Sequence, residues 1–298
     1  MEQITFLEAI RQTLFEELER DPSVFMMGED IGVYGGAFKV TAGMLERFGP
    51  ERVIDTPISE SGIVGAAIGA SFVGMRPIVE MQYMDFMSSA YSMIVNFAAK
   101  CHYRWGQPVP IVIRGPWGGM VHAGPFHSQC NEAHWAHVPG LKVVVPSTVY
   151  DARGLLRAAI RDQNPVIFLE HKRLYRWLKD TLPEEDYTVE IGRAAVRRAG
   201  EDVSIITYGA MVYRALEAAA LCEAEGGPSI EVIDLRTLLP LDEAAIMATA
   251  RKTGKVILLH EATRTGGLGG ELAAQIAERA FEWLDGPVVR LGALDTPV

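Results

Sequence analysis

Asp55-Thr56-Pro57-Ile58-Ser59-Glu60-Ser61-Gly62 runs directly into the small-residue stretch Ile63 to Val73, and the rest of the chain is read outward from this junction. Val53 and Ile54 before it have the β-branched, apolar character of a brief strand. Gly65, Ala66, Ala67, Gly69, Ala70, Ser71 and Gly74 after it give a helix with little bulk. Each glycine costs a helix up to about 1 kcal/mol, so close backbone approach to a neighbour is the expected reason for them. Glu60 sits at the strand-to-helix turn. A carboxylate there is favoured by the helix dipole, so a plain helix-start role and a chemical role both stand at this point.

The same alternation extends in both directions. Thr5 and Glu8 form a capping-box pattern, with Leu7, Ile10, Leu14 and Leu18 at helical spacing until Asp21-Pro22. Val24–Met27 reads as a buried strand, Gly32 to Gly36 as a loop and Thr41 to Phe48 as a short helix. Arg76 to Tyr83 reads as a strand, and Asp85 to Lys100 as a helix with Met87, Tyr91, Ile94 and Val95 on its apolar face. Pro110–Arg114, Leu141–Val145 and Pro165–Glu170 read as further strands, with a helix over Val149–Asp162. Strands separated by helices of this length indicate an α/β fold with a parallel sheet covered on both faces. From His171 to Asp186 the pattern breaks into a charged stretch that reads as a linker. A second alternating series then runs from Val203 to Leu291. The expected division is a first α/β domain over 1–175, a linker over 176–190 and a second α/β domain over 191–298.

Bulk properties fit that division. At 298 residues the chain exceeds a typical single core. Its 38 acids against 28 bases give a net charge of −10, which disfavours nucleic acid or an anionic membrane surface as partner. Three cysteines without a C-x-x-C pair argue against a disulfide framework or a zinc site and fit a reducing compartment. The start Met-Glu-Gln-Ile-Thr has neither signal-peptide nor transit-peptide character, and no apolar run is long enough to span a bilayer. The expectation is a cytoplasmic protein.

Two stretches could carry chemistry beside Glu60. The loop Gly115 to Gln129 leaves the carboxyl end of a strand, where ligands gather in open α/β sheets, and it is longer and richer in glycine than a connection needs. Four of the seven histidines lie between His122 and His137, without the i, i+4 spacing of a zinc pair. His127, beside Ser128-Gln129, is the hardest to assign to surface or capping duty. The second stretch is Ala159 to Pro165, where Asp162 and Asn164 end a helix among outward-pointing carbonyls. Oxygens there suit either a monovalent cation or an ordinary turn. Phosphate-gripping motifs are missing: no G-x-x-x-x-G-K-[ST], no G-x-G-x-x-G after a strand, and no G-D-G with a following Asn.

The stretches FMMGEDIG (Phe25–Gly32), DTPISESGIVG (Asp55–Gly65), FHSQ (Phe126–Gln129), PGLKVVVP (Pro139–Pro146), DARGLL (Asp151–Leu156), NPVIFLEHKRLYR (Asn164–Arg176) and DLRTLLP (Asp234–Pro240) follow one another in a single order along the chain. In that order they resemble the beta subunit of the thiamine-diphosphate-dependent 2-oxoacid dehydrogenases, the decarboxylating components of pyruvate and branched-chain 2-oxoacid dehydrogenase complexes. The resemblance implies a transketolase-like pyrimidine-binding domain followed by a transketolase C-terminal domain. It also accounts for the missing grip, since in this family the alpha subunit holds the diphosphate and magnesium.

Carried over by position, Glu60 matches the glutamate that shares a proton with the pyrimidine ring nitrogen of the cofactor. That sharing stabilises the imino tautomer that takes the proton from the thiazolium carbon. Ile58, Gln82 and Phe86 match positions lining the pyrimidine. His127 matches the active-site histidine that orients the 2-oxoacid substrate or the incoming lipoyl group. Ile111, Ala159, Asp162 and Asn164 match positions that hold potassium. The implied assembly has two alpha and two beta chains around a lipoyl acyltransferase core. Family chains continue beyond the motif matching Asp295-Thr296-Pro297, so a further tail at the subunit contacts is expected. An acetoin dehydrogenase beta subunit, or a non-catalytic scaffold docking the acyltransferase, are the alternatives. Gln82, Trp117 and Glu170-His171-Lys172 lean toward a branched-chain substrate.

Overall fold

The computed structural model of the chain describes residues 3–298. Thr5 opens the first helix, Phe6–Arg20, through the expected reciprocal cap: the Glu8 backbone N–H donates to Thr5 Oγ1 at 3.1 Å, and the Thr5 backbone N–H donates to Glu8 Oε2 at 2.7 Å. Leu7, Ile10, Leu14 and Leu18 form its buried stripe, which packs on the helix Val149–Arg161, itself capped by Thr148.

The larger sheet has seven strands in the order Thr237–Leu239, Lys142–Val144, Val166–His171, Val112–Trp117, Arg76–Glu80, Val24–Gly28, Val53–Asp55. Every neighbouring pair is parallel except the first. Val24–Gly28 and Val166–His171 are buried along their whole length, as strands covered on both faces must be. A second sheet of five strands runs Val289–Ala293, Val256–Thr263, Val203–Thr207, Ile230–Asp234, Ala195–Arg198, with the last strand antiparallel. In the larger sheet the chain goes from Val24–Gly28 to Val53–Asp55 on one side, then crosses to Arg76–Glu80 on the other. That reversal opens a crevice at the carboxyl ends of these strands, the place where open α/β sheets bind ligands.

Several local expectations need correction. The helix expected over Asp85–Lys100 is a 3-10 segment, Met84–Ala90, then a π segment, Met93–Ala98, then an α-helix, Ala99–Trp105. Side chains take the carbonyls that an α-helical ladder needs: Asn131 Nδ2 donates to Met84 O, Ser88 Oγ to Asp85 O and Ser61 Oγ to Ser89 O. The altered winding buries Met87 and Ile94 but turns Tyr91, expected inside, outward. The strand expected over Pro110–Arg114 begins at Val112 and continues to Trp117, because Gly115, Pro116 and Trp117 pair with Leu169, Glu170 and His171. The long loop therefore begins at Gly118. The short helix starts at Met44, after Gly43 in a left-handed conformation (φ +85°).

The charged stretch read as a linker is not solvated at its start. His171 and Lys172 are 0% and 4% exposed, Leu174–Trp177 is helical, and Lys179–Asp180 pairs with Ile4–Thr5. The strands Ala195–Arg198 and Thr237–Leu239 were not anticipated. The latter leaves the second half of the chain to form the edge of the larger sheet, antiparallel to Lys142–Val144.

Candidate active site

The carboxyl ends of four parallel strands converge on one crevice. Val24–Gly28 delivers Glu29 and Asp30, Val53–Asp55 leads to Glu60, Arg76–Glu80 to Gln82, and Val112–Trp117 to the loop bearing His127. Glu60 is the first residue of the helix Glu60–Phe72 and is half-buried, and Ser59 makes no side-chain cap bond. Its charge is felt by a second carboxylate that sequence reading passed over. Burial lifts the pKa of Glu29 above the ordinary carboxylate range, the Glu60 charge lifts it further, and the Ser59 backbone N–H opposes both. The effect comes from a residue 31 positions away, so nothing local in FMMGEDIG marks Glu29.

From Glu29 the contacts run on continuously. The neighbouring Asp30 accepts from Gln82 Nε2 at 2.8 Å, which fixes the amide of a residue expected to line the pyrimidine. Tyr83 follows, and its ring meets His127 edge to face at 4.5 Å between centroids. Phe86 meets the same imidazole at 5.6 Å. Behind Tyr83 stand Phe38, at 5.7 Å, and then Tyr175, whose hydroxyl donates to Glu170 Oε2 at 2.6 Å. Glu170 and Glu80 both pair with the fully buried Arg114. Gly36 is closed down on this triad: at φ +79°, a Cβ there would lie 2.7 Å from Glu80 Oε1. Thus Gln82, Phe86 and His127 lie along one connected set of contacts, and Glu60 acts on its first member, Glu29, through its charge. Ile58 is 83% exposed and touches open space at the mouth.

Deeper still, Glu132 is fully buried beside the loop's end. Tyr208, from the second half of the chain, donates to Glu132 Oε1 at 2.7 Å, while Oε2 has no hydrogen-bond partner among the described residues. Burial pushes the Glu132 carboxyl up to about 7, against the opposing Tyr208 hydrogen bond.

The residues matched to potassium lie elsewhere. Ile111, Ala159, Asp162 and Asn164 flank the amino ends of Val112–Trp117 and Val166–His171, at the opposite end of these strands from the crevice. Burial acts to raise Asp162, but Lys142 on one carboxylate oxygen and the Asn164 amides on the other outweigh it and leave the pKa low. Arg76 donates to the carbonyls of Ile160 and Asp162. With the carboxylate engaged, the donors left for a cation are second lone pairs of main-chain oxygens.

The crevice fits an aminopyrimidine. Glu29 Oε1 and Thr56 Oγ1 are buried there without a hydrogen-bond partner among the described residues. With the Glu60 carboxylate and the Gln82 amide, they supply acceptors and donors for a ring nitrogen and an exocyclic amine.

Residues 2–177 match the family described as "Transketolase, pyrimidine binding domain", and residues 192–298 match "Transketolase, C-terminal domain". The chain is 50% identical to the 2-oxoisovalerate dehydrogenase subunit beta of Bacillus subtilis, over 100% of this chain and 91% of that one. It is 45% identical to the pyruvate dehydrogenase E1 component subunit beta of Staphylococcus aureus, over 99% of this chain and 91% of that one. Among solved structures, a split-gene transketolase described as an inactive beta4 tetramer superposes with a TM-score of 0.81 at 27% identity, covering 98% of this chain and 90% of the other.

Proposed function

Because the chain belongs to the family of 2-oxoacid dehydrogenase beta subunits built on transketolase-like domains, we propose that it is the beta half of a decarboxylating component. That component converts a branched-chain 2-oxoacid, or pyruvate, and passes the acyl group to lipoyl groups on an acyltransferase core. The observation that carries this reading is the Glu60–Glu29 carboxylate pair at the sheet's switch point, leading through Gln82 and Tyr83 to His127.

Thiamine diphosphate, when bound, supplies a nucleophilic thiazolium carbon and an electron sink. The residues of this chain hold and time the protons around it. Glu60 would pair with the pyrimidine ring nitrogen and hold the proton at its carboxylate. Burial and the Glu60 charge both raise the Glu29 pKa, against the Ser59 backbone N–H, so a proton in this crevice is favoured next to Glu60 more than on an ordinary carboxylate. Gln82, held by Asp30, and the ring of Phe86 would line the pyrimidine. His127, positioned by two aromatic rings, would orient the 2-oxoacid and the incoming lipoyl disulfide. Potassium would be held by oxygens of Ile111, Ala159, Asp162 and Asn164, and would supply a structural charge at the amino ends of the central strands, away from the substrate.

The alpha subunit supplies the grip on diphosphate and magnesium that this sequence lacks. The face of Glu60–Phe72 is suited to a neighbouring chain: Gly69 meets no atom within 4 Å, and Phe72 and Val73 are exposed. No described helix is long and apolar enough to cross a membrane. Mixing this chain with its alpha chain, thiamine diphosphate and magnesium should give 2-oxoacid-dependent dye reduction and acylation of lipoyl domains. Turnover by this chain alone would refute the proposal. Rates on 2-oxoisovalerate against pyruvate would fix the substrate.

A further inference from the structure

We propose that Glu261, from the second half of the chain, is a positioning residue for the loop that carries His127, and that one tautomer of His171 holds it in place. Glu261 lies on Val256–Thr263, in the five-stranded sheet. Both of its carboxylate oxygens are engaged by the first half of the chain. Oε1 accepts from the Gly119 backbone N–H at 2.6 Å, at the start of the loop. Oε2 lies 2.7 Å from His171 Nε2, at the end of Val166–His171.

The geometry decides which ring nitrogen of His171 carries the proton. Nδ1 accepts from the Arg173 backbone N–H at 3.2 Å, so its lone pair is free of hydrogen. A proton there would set two donors against each other. Nε2 therefore carries the hydrogen and donates to Glu261 Oε2, from a neutral imidazole that is fully buried. Burial acts to raise the Glu261 carboxyl, but the hydrogen bonds from His171 and Gly119 outweigh it and leave the pKa low. The loop makes room for this contact at Gly118, which sits at φ +80°. A Cβ there would lie 2.5 Å from His171 Nε2.

The hold falls where the loop needs one. Met120, next after Gly119, and His122 are non-glycine residues at φ +64° and +59°, a conformation that persists only where surroundings impose it. Hydrogen bonds to an ionised carboxylate are roughly twice as strong as neutral ones. The second half also reaches the far end of the loop, where Tyr208 donates to Glu132. None of the residues matched to cofactor or substrate lies in that half, and Glu261 gives it a part in placing His127.

The catalytic consequence rests on the function proposed above, but the structural one does not. In the full-length chain labelled with 15N-histidine, His171, assigned by the signals lost in His171→Gln, should show a protonated Nε2 and an unprotonated Nδ1. A doubly protonated ring, or hydrogen on Nδ1 alone, would overturn the inference. Glu261→Met removes both acceptors at similar volume and should speed hydrogen–deuterium exchange about tenfold at Gly119 and Met120, with the strands Val24–Gly28 and Val203–Thr207 unchanged. Glu261→Gln, which leaves one acceptor for two donors, should give a smaller rise. Unchanged loop exchange in Glu261→Met, or an equal rise along the whole chain, would also overturn it. In the complex with the alpha chain, Glu261→Met should lower kcat with KM for the 2-oxoacid unmoved. An inactive wild-type complex would count against the proposed function alone, since the tautomer and the exchange decide the role of Glu261 by themselves.

Discussion

Tyr83 and His127 stand edge to face with their ring centroids 4.5 Å apart, so the imidazole expected at the reacting centre is aimed by an aromatic wall rather than by a hydrogen-bonded partner. Such pairs contribute about 0.5–1.5 kcal/mol beyond area burial. Tyr83→Phe should keep near wild-type rates in the reconstituted complex. Tyr83→Ala should lower kcat about tenfold, the equivalent of roughly 1.4 kcal/mol. Steady-state kinetics of the two variants decide whether the ring edge or the hydroxyl matters.

Glu60→Gln keeps the shape of the junction and removes the proton partner. Turnover should drop by about 10²–10⁴-fold, the usual range for a positioned acid or base, while thermal unfolding of the isolated chain stays unchanged. Wild-type rates in this variant would remove Glu60 from the mechanism.

Glu132 makes stability depend on pH. Its folded pKa of about 7 lies above the ordinary 4.5, so between those values the folded chain binds the extra proton and stability falls as pH rises. Across that window the loss is about 3 kcal/mol. Glu132→Gln, which still accepts from Tyr208, should flatten the dependence. Urea midpoints of both proteins at pH 5 and pH 7.5 test this, and parallel pH profiles would show that Glu132 does not titrate there.

Arg114 is fully buried between Glu80 and Glu170. Arg114→Met strands two acids in the core and should cost about 3–5 kcal/mol. Denaturation by urea measures it. Replacing Glu80 and Glu170 by apolar residues in the same variant should recover much of that loss.

The parts of the molecule that sequence made legible are those decided locally. The Thr5–Glu8 cap, the glycine- and alanine-rich helix after Glu60 and the parallel arrangement follow from neighbours a few residues apart. Lys172 shows where that reading stops. In a run with Arg173, Lys179 and Asp180 it looks solvated, yet at the end of the buried strand Val166–His171 it is only 4% exposed, with its ammonium over the Tyr83 ring. Glu29 was hidden for the same reason, because its altered environment comes from Glu60 across the sheet. The segment after Met84 departs from a regular helix because Asn131 and Ser61, remote in sequence, take its carbonyls.

The strand Thr237–Leu239 has a consequence for how the molecule comes apart. The second half lends it to the first half's sheet, where the Val145 backbone N–H also donates to Arg236 O at 2.8 Å. Cleavage of the chain among residues 183–186 would therefore leave two fragments stitched by shared backbone bonds. The halves would melt as one calorimetric unit, and fragments produced separately would complement each other.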